Sequence, residues 1–233
     1  MVWDRLENLK KRIRNGELGY YVKRLFPGGN MILYGGVQLV FRLSDLDKFE
    51  EAYEIVSKRF KHELRQASAQ DIERLCEEFP DSEKIFRTRI KRSNICFLTM
   101  ADDKISGFIW AMEPKGDYFD TNTLWIFRPE KIDGVWGTHG YVKPKHRLKG
   151  LFPFLMGGIR HEYLKKGYVR IYGETHGGNK ASIQSHLSAG YEILWKVIYV
   201  SILGLKIYLA KNQLTGQRKV SARYKLRIDE NRI

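Results

Sequence analysis

The chain has 233 residues, of which 43% are hydrophobic and 13% aromatic, and its formal net charge is +14 at pH 7. This composition predicts a folded domain with a sizeable core and excludes a disordered tail protein. The positive charge is concentrated at the ends: residues 1–30 hold seven Lys or Arg against three Asp or Glu, and residues 211–233 hold seven against two. The middle is only mildly basic, so the charge count does not predict a nucleic-acid-binding face.

Cysteine usage and hydropathy indicate the compartment. The two cysteines, Cys76 and Cys96, cannot build a disulfide framework or a metal-spaced set, so a reducing compartment is expected. The first residues contain no apolar segment of the kind that secretory signals have. The longest apolar run, residues 193–210, is interrupted by two lysines and a glycine, which predicts two strands joined by a turn rather than a membrane span. We therefore expect a cytoplasmic protein.

Residues 1–60 are predicted to form an N-terminal extension of a helix and a β-hairpin. Residues 3–15 have the pattern of a short basic helix, and residues 20–43 contain strand-like runs punctuated by Pro-Gly-Gly and Gly-Gly. Ser44 is expected to be the N-cap of a helix over roughly 45–59. These sixty residues show no catalytic motif.

From residue 61 the pattern is more regular and predicts the order β-α-α-β-β-β-α-β-α-β-β. Ser68 followed by Asp71 is a variant of the capping box, and Asp-Asp-Lys at 102–104 is a hairpin signal. The predicted elements are strand 62–68, helices 69–79 and 82–93, strands 95–101, 105–113 and 135–143, a helix over about 150–166, strand 168–174, helix 179–189 and a strand pair within 193–210.

The stretch YVKPKHRLKGLFPFLM, residues 141–156, has the features of an anion site. A strand ends near Val142, a basic loop follows, and a helix begins at Gly150. The unpaired N–H groups at a helix N-terminus attract anions, and a glycine there lets a phosphate approach the backbone. Pro153 falls in the first turn, where its missing N–H matters least. A solvated loop before a helix is the alternative. The stretch contains neither a P-loop nor a dinucleotide-binding motif.

A second stretch, GGNKASIQSHLSAGYE at 177–192, predicts a short helix with Asn179 as its N-cap and Gly190 at its end. Ser182 and His186 are four residues apart and therefore share one face of this helix. A capped surface helix is the structural interpretation of this segment.

Together, the two stretches resemble motifs of the GNAT N-acetyltransferase superfamily. RLKGLF (147–152) is similar to the family's acyl-CoA loop, R/Q-x-x-G-x-G/A, and NKASIQSHLSAGY (179–191) to its motif N-x-x-A-x-x-x-Y-x-x-x-G-F/Y. The predicted order of elements is also the family's. The resemblance covers residues 61–210, and it implies a mixed, mostly antiparallel, twisted α/β (α+β) sheet flanked by helices. We therefore expect three parts: residues 1–60 as the extension, a GNAT domain over 61–211, and a basic tail over 212–233.

The resemblance implies that acetyl-CoA, or another acyl-CoA, is the co-substrate. The residues expected to bind its diphosphate through backbone N–H groups are Arg147, Leu148, Lys149, Gly150, Leu151 and Phe152. The pantetheine arm would pair with the strand ending at Tyr141 and Val142 and would bond to Asn179, with Ser182 nearby. Phe152 departs from the family pattern, which has Gly or Ala there. No metal is implied.

The catalytic residues are less well defined by the resemblance. His186 stands where the family has the tyrosine that reprotonates the leaving thiolate, and an imidazole could do this because its pKa is near 6.5. The interpretation as a core or surface histidine stays open. The acceptor amine must lose its proton, and His139 is the first candidate base, followed by Glu174. His139 and Tyr141 share one face of a strand by period two.

The expected function is therefore transfer of an acetyl or other acyl group from a CoA thioester to an amine, by direct attack. The mildly basic domain favours a small anionic acceptor, such as a nucleotide-linked or other amino sugar. The alternative is a non-catalytic CoA-binding or nucleic-acid-associated protein on a GNAT scaffold, because the family's tyrosine is replaced and the ends are basic. The acceptor, the acyl chain, the general base and a homodimer are left open.

Overall fold

The computed structural model describes residues 33–59, 63–121, 125–147, 150–202, 205–222 and 226–230. Five α-helices lie within these ranges: α1 (Leu46–Arg59), α2 (Ala69–Glu78), α3 (Glu83–Lys91), α4 (Leu151–Leu164) and α5 (Lys180–Ser188). A short 3-10 helix, Pro80–Ser82, precedes α3. A second one, Pro144–His146, follows the strand that ends at Val142.

The strands of the described residues form a large sheet and a small one. The strands are β1 (Leu33–Leu43), β2 (Glu63–Gln66), β3 (Ile95–Ala101), β4 (Lys104–Met112), β5 (Phe119–Asp120), β6 (Trp125–Arg128), β7 (Gly134–Val142), β8 (Arg170–His176), β9 (Tyr191–Ile202), β10 (Leu205–Asn212), β11 (Arg218–Ala222) and β12 (Leu226–Asp229). The large sheet has the order β11-β10-β9-β1-β8-β7-β4-β3-β2, and the small sheet has the order β12-β6-β5.

Neighbouring strands of the large sheet are antiparallel, except β7 and β8, which are parallel. The predicted fold class, a mostly antiparallel mixed sheet flanked by helices, is confirmed. The order predicted from residue 61 is also confirmed, with the two short strands β5 and β6 added before β7.

The N-terminal strand β1 lies in the middle of the large sheet. It pairs antiparallel with β8 on one edge and with β9 on the other, so that Val40 lies opposite Glu174 and also opposite Trp195. Val40 and Phe41, which point to opposite faces, are both fully buried. β1 is therefore a central strand of the fold.

This position corrects the predicted N-terminal extension. Because β1 completes the sheet and α1 packs on α4, a boundary at residue 60 does not separate residues 33–59 from the rest of the fold. The Tyr53 and Phe154 rings stack with centroids 5.6 Å apart, and Glu50 forms an ion pair with Arg160. The predicted helix 3–15 and the first part of the predicted hairpin lie outside the described residues.

The predicted basic tail is also corrected. β11 pairs with β10 and β12 pairs with β6, and the Leu226 and Ile228 side chains are 0% exposed. Glu230 is buried, accepting hydrogen bonds from Arg42 Nη1 at 2.8 Å and from the Tyr172 hydroxyl at 2.6 Å. In β12 the exposed Arg227 stands between the buried Leu226 and Ile228, which is the alternation of a half-buried strand.

Two glycines let α4 approach its neighbours closely. A Cβ at Gly157 would collide with the Tyr53 ring, and a Cβ at Gly158 would lie 2.5 Å from Leu64 Cδ2. Glycine is unfavourable in a helix interior by about 1 kcal/mol relative to alanine. Close packing against α1 and β2 is the reason that the helix contains two of them.

The predicted helix caps are partly confirmed. Ser68 and Asp71 form the complete capping box at the start of α2. Asn179 Oδ1 accepts a hydrogen bond from the Ser182 N–H at 3.1 Å and caps α5. At α1 the prediction is wrong, because Asp45 Oδ1 accepts from the Lys48 N–H, whereas the Ser44 hydroxyl donates to the Gly190 carbonyl.

Cys76 and Cys96 are both free and buried. In the described ranges no helix is long and apolar enough to cross a membrane. Nor do the described residues contain a cluster of three or more His, Cys, Asp or Glu that could hold a metal ion.

Candidate active site

The site begins where the parallel strands β7 and β8 separate. Their pairing runs from Gly134–Arg170 to Gly137–Gly173, although both strands continue further. Beyond this point β7 stays paired with β4, and β8 stays paired with β1. The two strands therefore diverge, and the edge of β7 that faces β8 has backbone groups available to an extended ligand. We call the space between residues 138–142 and 174–176 the wedge.

A β-bulge in β7 shapes one wall of the wedge. Thr138 pairs with Trp110 and Tyr141 with Phe108, so that two residues of β7 oppose one residue of β4. His139 sits in the bulge with a left-handed φ of 50°. Bulges aim side chains away from the regular alternation, and they are frequent next to active sites.

The bulge turns successive side chains toward α3. The Thr138 hydroxyl lies 3.5 Å from Arg89 Nη2, and the His139 ring lies 5.5 Å from the Phe86 ring between centroids. Both His139 and Tyr141 contact the Phe108 ring. The predicted shared face of His139 and Tyr141 is therefore confirmed.

An open cleft of about 350 Å³ occupies the wedge. It brings together the three predicted catalytic residues, His139, Glu174 and His186, and two predicted pantetheine ligands, Asn179 and Ser182. Phe152 also lines it. Five other predicted ligands do not line this cleft and lie where β7 ends and α4 begins: Tyr141, Val142, Arg147, Gly150 and Leu151.

The N-terminus of α4 has the geometry that an anion site requires. Gly150 has a left-handed φ of 82°, and the first helical bond runs from the Phe154 N–H to the Gly150 carbonyl at 3.3 Å. The amides of Leu151 and Phe152 therefore have no acceptor within the helix, and Pro153 has no N–H. A Cβ at Gly150 would lie 2.5 Å from Val56 Cγ2, so packing against α1 requires glycine here as well.

The cations of this loop have different environments. Lys143 forms an ion pair with Glu78 at 2.6 Å. Arg147 is exposed, its Nε donates to the Val142 carbonyl at 2.9 Å, and its guanidinium lies 5.6 Å from the centre of the Tyr141 ring. Lys145 is exposed. Leu148 and Lys149, which the sequence also assigned to the loop, lie outside the described residues.

Leu151 and Phe152 point to different surroundings. Leu151 is 1% exposed and packs with Val56 and Phe154, so only its backbone faces the ligand side. The Phe152 ring packs against the core and lies 4.7 Å from the His186 ring between centroids. The GNAT motif has Gly or Ala at this position, and the larger Phe152 side chain fits here because its ring packs against the core.

His186 is a buried, neutral histidine. It is 4% exposed, its ring stacks on Phe41 at 4.4 Å between centroids, and Nδ1 lies 2.7 Å from the Ser182 carbonyl oxygen. Because a carbonyl only accepts, Nδ1 carries the proton and Nε2 does not. Burial lowers the pKa of His186 to about 4, so Nε2 stays unprotonated near neutral pH. This geometry favours the interpretation as a core histidine over the role of a proton donor.

His139 has the properties of a neutral proton acceptor. Burial, followed by the charge of Arg89, lowers its pKa to about 4. Its Nδ1 is buried and has no hydrogen-bond partner. The imidazole therefore has a lone pair available near neutral pH, although its low pKa makes it a weak base in this form.

The end of β8 contributes two further groups. The Glu174 carboxylate acts electrostatically on Arg89 and raises the pKa of that guanidinium, against the larger effect of burial. His176 Nδ1 accepts a hydrogen bond from the Gly178 N–H at 3.3 Å, which leaves the proton of the neutral ring on Nε2. Both side chains line the cleft.

Sequence reasoning missed several polar residues of the cleft, among them Gln38, Arg89, Thr138 and Thr175. Gln38 comes from β1, whose position between β8 and β9 has no local signature. Arg89 is one of several cations in a basic helix, and nothing in the spacing distinguishes it from exposed Arg87. Thr138 precedes His139, and only the bulge places both on one side of the strand.

Comparisons with known proteins support the fold. No family model matches the sequence, and a comparison with curated proteins finds no match. Among solved structures, a functionally unknown conserved protein from Staphylococcus epidermidis superposes with a TM-score of 0.51 at 9% identity, covering 78% of this chain and 65% of that chain. This likeness shows a common fold.

Two further structures are acetyltransferases. A GNAT-family acetyltransferase from Colwellia psychrerythraea has a TM-score of 0.49 at 12% identity, covering 79% of this chain and 60% of that chain. An aminoglycoside N-acetyltransferase in complex with CoA has a TM-score of 0.43 at 22% identity, covering 56% of this chain and 91% of that chain. The chain spans less than two thirds of the first two structures it matches.

Proposed function

We propose that this protein is an acyl-CoA-dependent N-acetyltransferase, which transfers an acetyl or other acyl group to an amine of a small acceptor. The observation that carries the proposal is the wedge between β7 and β8, which leads to the uncapped N-terminus of α4. The resemblance of residues 147–152 and 179–191 to GNAT motifs supports the same conclusion. We place the reaction in the cytoplasm, in keeping with the two free thiols, and a homodimer stays a prediction.

The residues present fit acyl-CoA, an elongated molecule with amide groups in its arm and phosphates at one end. The free edge of β7 at Tyr141 and Val142 offers backbone groups to the pantetheine amides. The amides of Leu151 and Phe152, at the positive end of the α4 dipole, face an anion. Exposed Arg147 and Lys145 add positive charge nearby. The Asn179 side chain already caps α5, so a bond to pantetheine would be additional.

When bound, the co-substrate supplies an acyl thioester for attack by the amine. We propose that the His139 ring accepts the amine proton, because burial and the charge of Arg89 lower its pKa to about 4 and keep the imidazole neutral near neutral pH. Glu174 is the second candidate, on the opposite wall of the wedge. His186 holds its proton on Nδ1 against the Ser182 carbonyl, so we assign the return of a proton to the thiolate to water.

We further propose that the acceptor is a small anionic amine, such as a nucleotide-linked or other amino sugar. The mildly basic middle of the chain and the buried guanidinium of Arg89, whose Nε and Nη1 have no hydrogen-bond partner, support an anionic acceptor. The sugar component rests only on the resemblance to enzymes that acetylate amino sugars.

The test measures CoA release from acetyl-CoA over a panel of amines, together with calorimetric binding of CoA. We expect CoA to bind to the full chain and at least one amine to raise CoA release above the buffer rate. His139→Gln should slow release without weakening CoA binding, whereas His186→Phe should leave the rate within a few-fold of wild type.

Two results would contradict the proposal in different ways. CoA binding without release above the buffer rate for any amine would support the non-catalytic alternative. Absence of CoA binding would exclude both interpretations of the wedge.

A further inference from the structure

Arg89 is a buried cation in the wall of the cleft. It lies in the last turn of α3, it is 7% exposed, and its side chain lines the cleft. Its Nη2 lies 3.5 Å from the Thr138 hydroxyl, at the limit of a hydrogen bond, while Nε and Nη1 have no hydrogen-bond partner. A guanidinium has five N–H donors, and most of those of Arg89 are therefore unsatisfied.

A buried guanidinium with unsatisfied N–H donors does not contribute to the stability of the fold. Buried charges are normally paired, and a buried donor without a partner destabilises the folded state. Burial lowers the pKa of Arg89 to about 10, so the group is nevertheless charged near neutral pH. The neighbouring rings of Phe86 and His139 offer no acceptor oxygen for it. The Glu174 carboxylate across the cleft acts on Arg89 electrostatically, but Nε and Nη1 stay without a hydrogen-bond partner.

The position of Arg89 relates it to the reacting groups. It contacts Thr138, which is adjacent to His139 in the bulge, and its charge acts directly on the His139 ring. An anion bound to Arg89 would therefore lie a few ångströms from the proposed base, on the α3 side of the cleft. The diphosphate site at the start of α4 is separate from it.

We propose that Arg89 binds a carboxylate or phosphate group of the acceptor and thereby selects amines that have an anionic group close to the reacting nitrogen. This inference rests on the proposed function, since it concerns the second substrate of the same site. Guanidinium matches both anions because its planar N–H groups can pair with two oxygens at once. Neutral amines would leave the charge unpaired.

The first arm of the test compares matched pairs of acceptors in the CoA-release assay: glycine and glycinamide, β-alanine and β-alaninamide, phosphoethanolamine and ethanolamine, and glucosamine 6-phosphate and glucosamine. For at least one pair we expect wild type to prefer the anionic member in kcat/KM by about 30-fold or more, the factor typical of a buried charge pair. The carboxylate and phosphate pairs distinguish the two anions.

Variants assign the preference to this residue. In Arg89→Met the preference, measured as the ratio of kcat/KM for the two members of a pair, should fall to within a few-fold of unity. Loss of the charge that acts on His139 changes the rate for both members alike and leaves this ratio unaffected. Arg92→Met, which removes an exposed cation at the end of the same helix, should keep the preference. The melting temperature of Arg89→Met should equal or exceed that of wild type, because an unsatisfied buried charge is replaced by an apolar chain.

The second arm is independent of turnover: calorimetric binding of the four anionic amines to CoA-saturated protein. We expect binding of at least one of them to wild type and to Arg92→Met, and its loss in Arg89→Met. The inference is overturned if none binds to wild type, if Arg89→Met binds and prefers anionic amines as wild type does, or if Arg89→Met melts well below wild type without a change in preference. Failure of the proposed function is distinct, since it appears as the absence of CoA binding or release.

Discussion

His139 has a backbone conformation that histidine rarely adopts, with φ of 50° in the middle of a strand. An L-residue in this region is unfavourable by roughly 1–2 kcal/mol relative to glycine. The surrounding ladder between β4 and β7 maintains it, and the result is a side chain aimed at α3 and the cleft. Such outliers persist where the surrounding structure determines them, often at functional sites.

Replacement of His139 by glycine should therefore separate stability from activity. In His139→Gly we expect the free energy of unfolding in urea to stay the same or rise by up to about 1 kcal/mol, because the strained residue is removed. The value of kcat/KM should fall by about 10²–10⁴-fold if the imidazole is the base. Glu174→Gln is the matched comparison, and a larger fall in that variant would assign the base to Glu174.

The buried His186 predicts a dependence of stability on pH. Its folded-state pKa is about 4, below the value of about 6.5 in an unfolded chain. As the pH falls, the unfolded state takes up the proton first, so stability is fully present above about pH 7 and declines down to about pH 4. Between pH 7.5 and pH 5 this group alone should lower the free energy of unfolding by about 2 kcal/mol.

The measurement is chemical denaturation of wild type and His186→Phe at both pH values. The variant keeps an aromatic ring against Phe41 but cannot be protonated, so its pH dependence should be smaller by that amount. Gln184→Ala, at an exposed position of the same helix, should behave like wild type. Equal slopes in wild type and His186→Phe would mean that His186 does not have a depressed pKa.

At the scale of elements, the start of α4 combines a packing constraint with a ligand site. Gly150 is required by its positive φ and by Val56, which occupies the space of a Cβ. Backbone conformation and packing therefore suffice to explain why residue 150 is a glycine, without any contact to a ligand. The amides at the next positions, Leu151 and Phe152, have no acceptor within the helix, and this makes the helix end suitable for phosphate groups.

We expect Gly150→Val to weaken CoA binding more than Arg147→Ala does, in calorimetric titrations. The valine imposes strain on the left-handed residue and displaces the helix start from α1, whereas Arg147 is exposed and contributes a screened charge. Val56→Ala is the control for the loss of packing alone, and it should lower the melting temperature with little effect on CoA affinity. The opposite order of Gly150→Val and Arg147→Ala would show that the side-chain cations dominate binding.

At the scale of the whole molecule, the two ends of the described chain complete the core. β1 supplies the strand between β8 and β9, and one side of the cleft includes Gln38 from this strand. At the other end, Glu230 accepts hydrogen bonds from Tyr172 on β8 and from Arg42 on β1. The sheet that holds the site is therefore complete and fully packed only when β1 and the segment that ends at Glu230 are both present.

A fragment of residues 61–211 should consequently fail to fold. Without β1, the facing edges of β8 and β9 lose their partner, and the buried faces at Phe41 and Val40 are lost with it. We expect little near-ultraviolet circular dichroism and no cooperative melting for this fragment, in contrast to the full chain. A cooperative transition close to that of the full chain would show that residues 61–211 form an independent domain after all.

The sequence by itself determined the order of elements and the two motifs, because their signals are local. Hydrophobic period, the Ser68 capping box, the Asn179 cap and the glycine at the start of α4 each depend on residues within a few positions of one another. The resemblance to GNAT enzymes rests on the same short stretches. For this reason the fold class and six of the sixteen residues that line the cleft could be predicted.

Only the tertiary structure decided what depends on contacts between distant segments. In the structure β1 lies in the centre of the sheet, and Arg89 lies beside His139. Residues 212–233, predicted as a basic tail, contain the strands β11 and β12. The structure also reassigned His186, since the pattern of the motif cannot show whether an imidazole is exposed or stacked on Phe41. Burial and strand partners are long-range properties, and they govern the pKa values and unsatisfied charges that determine the chemistry of this cleft.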